Sequence, residues 1–333
     1  MVVLGASATW SLVTAAVHDG RPEGVLLAVL AVTAGYAAGR VSGVLVPVAA
    51  PCAAALAGIT LAVVLPQTGA GPETAAPLGH AGATAAVLVL SAGAACCAAR
   101  ATDVSGLRAA LHGLAAVAAV TGAVLGSATA AALCGLVLLC SLGAGQVTHR
   151  GRVLAGLGVG AAGVAALTWA VAADALPGGL TGSLAGRLTP RRIDLWQDAL
   201  RLARGDALLG VGPGRFGELS ATAAGSPLPD GRPHSAPLQM AAEQGVVGVL
   251  LLAAAFGWML FALWRSPRPT PVVVAAGAAL AGLAAVAAVG NALSFTTVSV
   301  GAGLLAGLAT ARPLATAPTP PGPTSTTRPG RGA

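Results

Sequence analysis

Charge is what this sequence lacks most. Only 9% of its 333 residues are charged, whereas a soluble domain typically carries about 25% because its surface must stay in water. Residues of the AVILMFWYC set make up 56% of the chain, and the mean hydropathy is +0.82. The composition therefore excludes a pair of ordinary soluble domains and predicts a protein whose solvent is mostly lipid.

Lysine is absent, so the 18 basic residues are all arginines, and they give a net charge of +7 against 11 acids. The excess does not indicate nucleic-acid binding, because no basic run is interleaved with aromatics and the arginines lie at the ends of apolar stretches. The cysteines lie inside apolar runs without metal-ligand spacing, which indicates small core residues. These are Cys52, Cys96, Cys97, Cys134 and Cys140.

Long apolar stretches predict about ten membrane-spanning helices. A span needs about 20 mostly apolar residues, because lipid offers the backbone no hydrogen-bond partners. The strongest candidate, 245–264, contains no charge. The expected fold class is all-α: a polytopic transmembrane helical bundle with one long extracytoplasmic loop that contains short amphipathic helices. The predicted spans are 1–17, 24–39, 44–65, 81–99, 107–126, 128–145, 153–173, 245–264, 271–290 and 294–311.

The arginines also predict the orientation of the spans. If Met1 is cytoplasmic, the short cytoplasmic loops and the tail contain ten arginines, and the short outer loops contain only Arg21. We therefore expect a multi-pass protein of the cytoplasmic (inner) membrane with both termini in the cytoplasm. The expected divisions are N-terminal transmembrane helices at 1–173, an extracytoplasmic catalytic loop at 174–244, C-terminal transmembrane helices at 245–311, and a disordered Pro/Thr-rich cytoplasmic tail at 312–333.

The loop 174–244 concentrates the polar chemistry, since it holds 14 of the 29 charged residues. Its first ordered segment is predicted to be a helix over 189–205, with Thr189 as N-cap, Pro190 in the first turn and Gly205 as the stop. Such a helix would lie along the outer membrane surface. An interfacial helix with solvated charges is the simpler alternative. The apolar face carries Ile193, Trp196, Ala199 or Leu200, and Ala203, and the charged Arg192, Asp194, Asp198 and Arg201 lie off it.

Two further segments of the loop carry candidate functional residues. A turn with glycines at 210, 212 and 214 ends in Arg215, and its glycines allow close packing against a ligand or a neighbouring chain. No strand precedes this turn, which argues against a Rossmann site. His234 precedes the strongest span, and Gln239 and Glu243 lie four residues apart on one helical face. A histidine near arginines and a glutamate is a candidate for useful titration, the alternative being an exposed polar residue.

In this order and spacing, these segments resemble the O-antigen ligase/polymerase family of polytopic membrane proteins, the Wzy/WaaL-type domain. The resemblance covers roughly 130–265. Members often have about twelve spans, and the family's upstream S-R-G-like motif has threonine and histidine here in place of serine. The residues that carry the resemblance are Arg192 four before Trp196, Gly210-Val211-Gly212-Pro213-Gly214-Arg215-Phe216, His234, Glu243-Gln244-Gly245, and the degenerate Thr148-His149-Arg150-Gly151.

The resemblance implies glycan transfer at the outer face of the cytoplasmic membrane. The donor would be a glycan on a polyprenyl diphosphate, and the acceptor a second lipid-linked glycan or another surface molecule; no nucleic acid is expected as a partner. Arginine forks can hold phosphate oxygens and stabilise the leaving charge without a metal. No DxD-like metal motif stands out in the loop, so neither metal nor cofactor is expected.

Each candidate residue has a role that this chemistry suggests. Arg192 and Arg215 are expected to bind the diphosphate, with Arg150 as a third candidate. His234 is expected to orient or deprotonate the acceptor hydroxyl or to bind phosphate. Glu243 is expected to orient His234 or to cap a helix. The side chains of Arg192, Arg215 and His234 would then converge beside a lipid-accessible cavity. Trp196 and Phe216 are interpreted as packing or membrane anchors.

Two other functions fit the same composition. A polytopic transporter or lipid-linked glycan flippase also needs many spans, but transporters usually place ionisable residues within them. Here His112 and Asn291 are the best polar candidates in the spans, and a core role suits each. The other alternative is a membrane protein whose outer loop only binds or scaffolds.

Overall fold

The structure, a computed structural model, describes residues 2–68, 77–175, 189–225 and 231–312, and its regular secondary structure in these ranges is helical. The described helices are α1 (Val2–His18), α2 (Glu23–Leu45), α3 (Ala49–Thr68), α4 (Pro77–Ala101), α5 (Ser105–Val124), α6 (Ala128–Gly143), α7 (Arg150–Ala172), α8 (Pro190–Gly205), α9 (Phe216–Leu219), α10 (Ala221–Ala224), α11 (Ala236–Trp264), α12 (Thr270–Val289) and α13 (Thr296–Thr310).

Seven of the described helices are long and apolar enough to cross a membrane: α2, α4, α5, α6, α7, α11 and α12. Three shorter apolar helices, α1, α3 and α13, coincide with the remaining predicted spans. The prediction of an all-α polytopic bundle is therefore confirmed. The predicted disordered tail lies outside the described residues, apart from Arg312.

Two central helices organise the bundle. Helices α4 and α12 are mostly buried and pack on each other, and α3, α5, α6, α7, α11 and α13 pack around them. The outer helices leave large apolar side chains such as Leu30, Val120 and Leu250 exposed, as expected of surfaces that face lipid. Cys96, Cys97 and Cys134 are free and buried, and Cys52 and Cys140 are free and half-buried.

Glycines join the N-terminal and C-terminal parts of the bundle. A Cβ at Gly35 of α2 would lie 2.3 Å from the Val300 carbonyl oxygen, and one at Gly303 of α13 would lie 2.2 Å from the Val32 oxygen. The two backbones approach this closely only because small residues line the contact.

The bundle has two chemically different ends. At the first, which we call the arginine end, Arg268 Nε donates to Ala311 O at 2.9 Å and Arg150 Nη1 donates to Arg268 O at 3.4 Å. At the second, which we call the turn end, Arg21 N donates to Pro213 O at 2.7 Å. Helix α7 connects the two, because it begins at Arg150 and its last turn packs against α8. Of the arginines, aspartates and glutamates that the structure describes, the arginine end carries eight arginines and one acid: Arg40, Arg100, Arg108, Arg150, Arg152, Arg265, Arg268, Arg312 and Asp103.

Candidate functional site

Helix α8 is the platform of the turn end. It begins at Pro190 after Thr189, which has extended N-cap geometry, and it ends at Gly205. Instead of lying only on a membrane surface, α8 packs against α7 and α11. Trp196 is 1% exposed and belongs to a buried cluster with Leu238 and Phe216. Trp196 and Phe216 are thus packing residues, the interpretation favoured by the sequence.

Asp198 does not lie on a solvated face, which corrects the sequence-based assignment. Its side chain is buried, and its carboxylate accepts hydrogen bonds from Ser220 Oγ at 2.7 Å and from Thr222 N at 3.0 Å. Arg201 Nη2 lies 2.9 Å from its other oxygen. Burial opposes ionisation, but these hydrogen bonds outweigh it and lower the pKa of Asp198 below its ordinary value. The carboxylate therefore holds the segment that contains α9 and α10 against α8.

A break in α11 creates the acceptors that bind the glycine turn. Gly245 has φ 65° and ψ −163°, which interrupts the helical hydrogen-bond ladder. The carbonyls of Ala242 and Glu243 accept from Val211 N at 2.8 Å and Gly212 N at 3.0 Å instead. The Gln244 carbonyl accepts from Trp10 Nε1 of α1 at 3.0 Å. These three carbonyls, which the break displaces from the helical hydrogen bonds, thus have other donors. An unpaired carbonyl would be costly in surroundings of low dielectric constant.

The glycines of the turn are required by this close approach. Gly210, Gly212 and Gly214 all have positive φ, a conformation that L side chains rarely adopt. A Cβ at Gly210 would also lie 2.6 Å from Gln244 N and from Glu243 C. The turn therefore packs closely against a neighbouring segment of the same chain, residues 242–244.

Glu243 lies buried beside the end of the turn. Its side chain is 3% exposed and faces the backbone N–H groups of Gly214 and Phe216. Gln239 Nε2 donates to Glu243 Oε1 at 3.4 Å, as their four-residue spacing predicts. The buried carboxylate of Glu243 thus lies beside the start of α9, a short neighbouring helix.

The side chain of Arg215 extends from this turn towards α1. Its Nη1 donates to His18 O at 2.8 Å, and its Nε lies 3.8 Å from Glu218 Oε2. The side chain is 33% exposed, so part of the guanidinium remains accessible. Arg215 and Glu243 are thus brought to one turn without forming an ion pair with each other.

Arg192 is a half-buried cation on α8, one turn before Trp196. Its Nε is buried and has no hydrogen-bond partner among the described residues. Burial lowers the pKa of the Arg192 guanidinium below its ordinary value, yet arginine titrates so far above neutrality that the charge is kept. An anionic ligand would supply the hydrogen-bond acceptor that the described residues do not.

His234 lies at the start of the α11 segment in a strained conformation. It is 6% exposed, and its φ of 52° falls in the left-handed region that favours glycine. Such strain persists only where the surroundings hold it, and it is frequent at ligand-binding sites. The surroundings of His234 at the turn end thus hold its backbone in this conformation.

Arg150 is not brought to the turn end. It opens α7, a helix of 23 residues, which is about 33 Å long. The end of α7 packs beside α8, whereas Arg150 binds Arg268 O at the arginine end. Arg192, Arg215 and His234 belong to elements of the turn end, so the predicted convergence can involve only these three. Arg150 lies at the opposite end, where its hydrogen bond to Arg268 O is a structural contact.

Several residues of the turn end were missed by reading the sequence. Asp206 Oδ1 accepts from Leu208 N at 3.2 Å and Leu209 N at 3.0 Å, and its other oxygen lies 3.8 Å from His18 Nε2. An aspartate just before a glycine-rich turn is a signal for such local bonding. The contribution of His18 and Arg21 had no local signal, because they lie nearly 200 residues away along the chain.

The comparisons with known proteins bear on the same elements. Residues 114–253 match a protein-family model described as O-antigen ligase. The matched segment starts within α5 and ends within α11, so it contains α8, the glycine turn and Glu243. No curated protein and no solved structure matches the chain.

Proposed function

We propose that this chain, whose residues 114–253 match the O-antigen ligase family model, transfers a glycan from a polyprenyl diphosphate to an acceptor hydroxyl. A membrane protein with this domain has a general role in glycan ligation or polymerisation. The reaction takes place at the turn end, which faces away from the cytoplasm. The observation that carries the proposal is that the matched domain contains the elements that hold Arg192, Arg215, His234 and Glu243.

The two arginines stabilise the leaving group. As the acceptor oxygen bonds to the anomeric carbon, the bond between that carbon and the phosphate oxygen breaks, and negative charge develops on the diphosphate. Arg192 is half-buried, and its Nε has no hydrogen-bond partner among the described residues; Arg215 is held by His18 O. Preorganised cations of this kind stabilise developing charge without reorganisation during the reaction.

His234 accepts the proton of the acceptor hydroxyl. An imidazole can accept that proton as the new glycosidic bond forms. Glu243 acts through the turn, because its buried carboxylate faces the backbone on both sides of Arg215. It is a positioning residue in this scheme. The products are the extended or ligated glycan and free polyprenyl diphosphate.

Transfer by purified protein in detergent tests the assignment. We expect Arg192→Ala and His234→Ala each to lower the transfer rate at least about a hundredfold, because each removes a group that acts on the reacting atoms. The matched control is Arg204→Ala, an exposed arginine on the same helix as Arg192. Full activity in both site variants would reject the site. A wild-type protein that moves lipid-linked glycan across vesicles without transferring it would favour a flippase.

Metal removal tests the second part of the scheme. Because guanidinium groups supply the positive charge, we expect transfer to continue at an unchanged rate in excess EDTA. The measurement is the initial rate before and after chelation, with re-addition of Mg²⁺ as the control. A rate that collapses with EDTA and returns with Mg²⁺ would show that arginines alone are insufficient.

A further inference from the structure

Arg21 lies in the loop after α1, outside the matched segment 114–253, and is held against the glycine turn by its backbone. Its N–H donates to Pro213 O at 2.7 Å. The preceding Gly20 packs so closely that a Cβ there would lie 2.7 Å from Pro213 Cδ. The position of Arg21 therefore does not depend on its side chain.

The side chains of Arg21 and Arg215 share one carboxylate. Arg21 Nη2 lies 3.5 Å from Glu218 Oε1, and Arg215 Nε lies 3.8 Å from Glu218 Oε2. The Arg21 side chain is 75% exposed and that of Glu218 is 54% exposed, so this pair contributes little to folding. Two guanidinium groups around one carboxylate leave one positive charge in excess.

We propose that Arg21 and Arg215 together bind the diphosphate of the donor, and that Glu218 competes with it for both arginines. This inference rests on the proposed function. A diphosphate offers more charge and more acceptor oxygens than a carboxylate, and it can accept from two guanidinium forks at once. Glu218 is exposed and can rotate aside at small cost, while His18 O keeps Arg215 in place.

Binding of farnesyl diphosphate, a short prenyl diphosphate, to the full-length protein in detergent tests this assignment. We expect Arg21→Ala to weaken binding about tenfold and Arg21→Lys to retain part of it, because lysine keeps the charge and loses the fork. We expect Glu218→Gln to tighten binding about threefold, because it removes the competing charge. The matched control is Arg40→Ala, an exposed arginine of α2 near the opposite end of the bundle.

The two substitutions are expected to change the affinity for the probe in opposite directions, which distinguishes ligand binding from a contact that only holds the loop. If the Arg21–Glu218 pair only holds the loop, both substitutions break the pair. The affinity for the probe would then change in the same direction in both variants, or in neither variant, and the inference is overturned. Unchanged binding in both variants, with transfer still lost in Arg192→Ala, would overturn it while the proposed function stands. A wild-type protein that neither binds the probe nor transfers glycan would overturn both.

Discussion

At the scale of single residues, buried carboxylates decide the shape of the turn end. Asp198 and Glu243 are almost completely buried; Asp198 accepts a hydrogen bond from Thr222 N, and Glu243 faces the backbone of the glycine turn. Hydrogen bonds to charged groups are stronger than neutral ones, typically about 1.5–3 kcal/mol. These two residues thus add polar contacts to the apolar packing of Phe216 and Ala223 that holds this segment in place.

The lowered pKa of Asp198 makes the stability of this region depend on pH. A carboxyl group with a lower pKa in the folded state adds stability above its unfolded pKa, and that stability is lost as the pH falls through the folded value. We expect the melting temperature of the wild type in detergent to decrease as the pH is lowered from about 5 to about 2. Asp198→Asn should lower the melting temperature at pH 7 and flatten this dependence.

Asp194 provides the control, because it is exposed on the same helix. We expect Asp194→Asn to leave both the melting temperature and its pH dependence unchanged. Equal pH profiles for the wild type and Asp198→Asn would show that another group controls acid stability.

At the scale of elements, the break in α11 and the glycine turn form one unit. The break at Gly245 frees carbonyls that bind Val211 and Gly212, and Val246 N in turn donates to Ala207 O at 2.8 Å. Without the other, the break and the turn would each leave backbone N–H or C=O groups without hydrogen-bond partners. The apolar pattern of 245–264 predicts the span, but it contains no signal for the break.

A methyl group at Gly245 should disrupt this unit. Its φ of 65° is unfavourable for alanine, and the added Cβ would lie 2.2 Å from Leu208 O. We expect Gly245→Ala to destabilise the protein by at least about 2 kcal/mol and to abolish transfer. Gly257→Ala on the same helix meets no atom within 4 Å and should be neutral in a thermal unfolding assay. A fully stable, active Gly245→Ala variant would contradict the described geometry.

At the scale of the whole molecule, charge separates the two ends of the bundle. The arginine end carries eight described arginines and a single described acid, whereas at the turn end acids accompany the arginines. Short loops rich in arginine stay in the cytoplasm. By this rule we expect the arginine end to be cytoplasmic, which would put the proposed site outside, where lipid-linked glycans would be used.

Labelling with a membrane-impermeant maleimide tests this orientation in intact cells. We expect Arg204→Cys, at an exposed position of α8, to be labelled from outside, and Arg152→Cys, at the arginine end, to react only after permeabilisation. The wild type is the control, because its cysteines lie in apolar helices and are buried or half-buried. The reverse labelling pattern would place the proposed site in the cytoplasm.

The amino-acid sequence by itself determined the helical class, the positions of the spans and helix 189–205, because apolar length, capping residues and local spacing act over short distances along the chain. Only the tertiary structure decided that Asp198 is buried, that Arg150 lies at the far end from Arg192, and that His18 and Arg21 contact the glycine turn. These outcomes depend on contacts between segments distant in the chain. Such contacts are set by the packing of whole helices, which no local pattern of residues specifies.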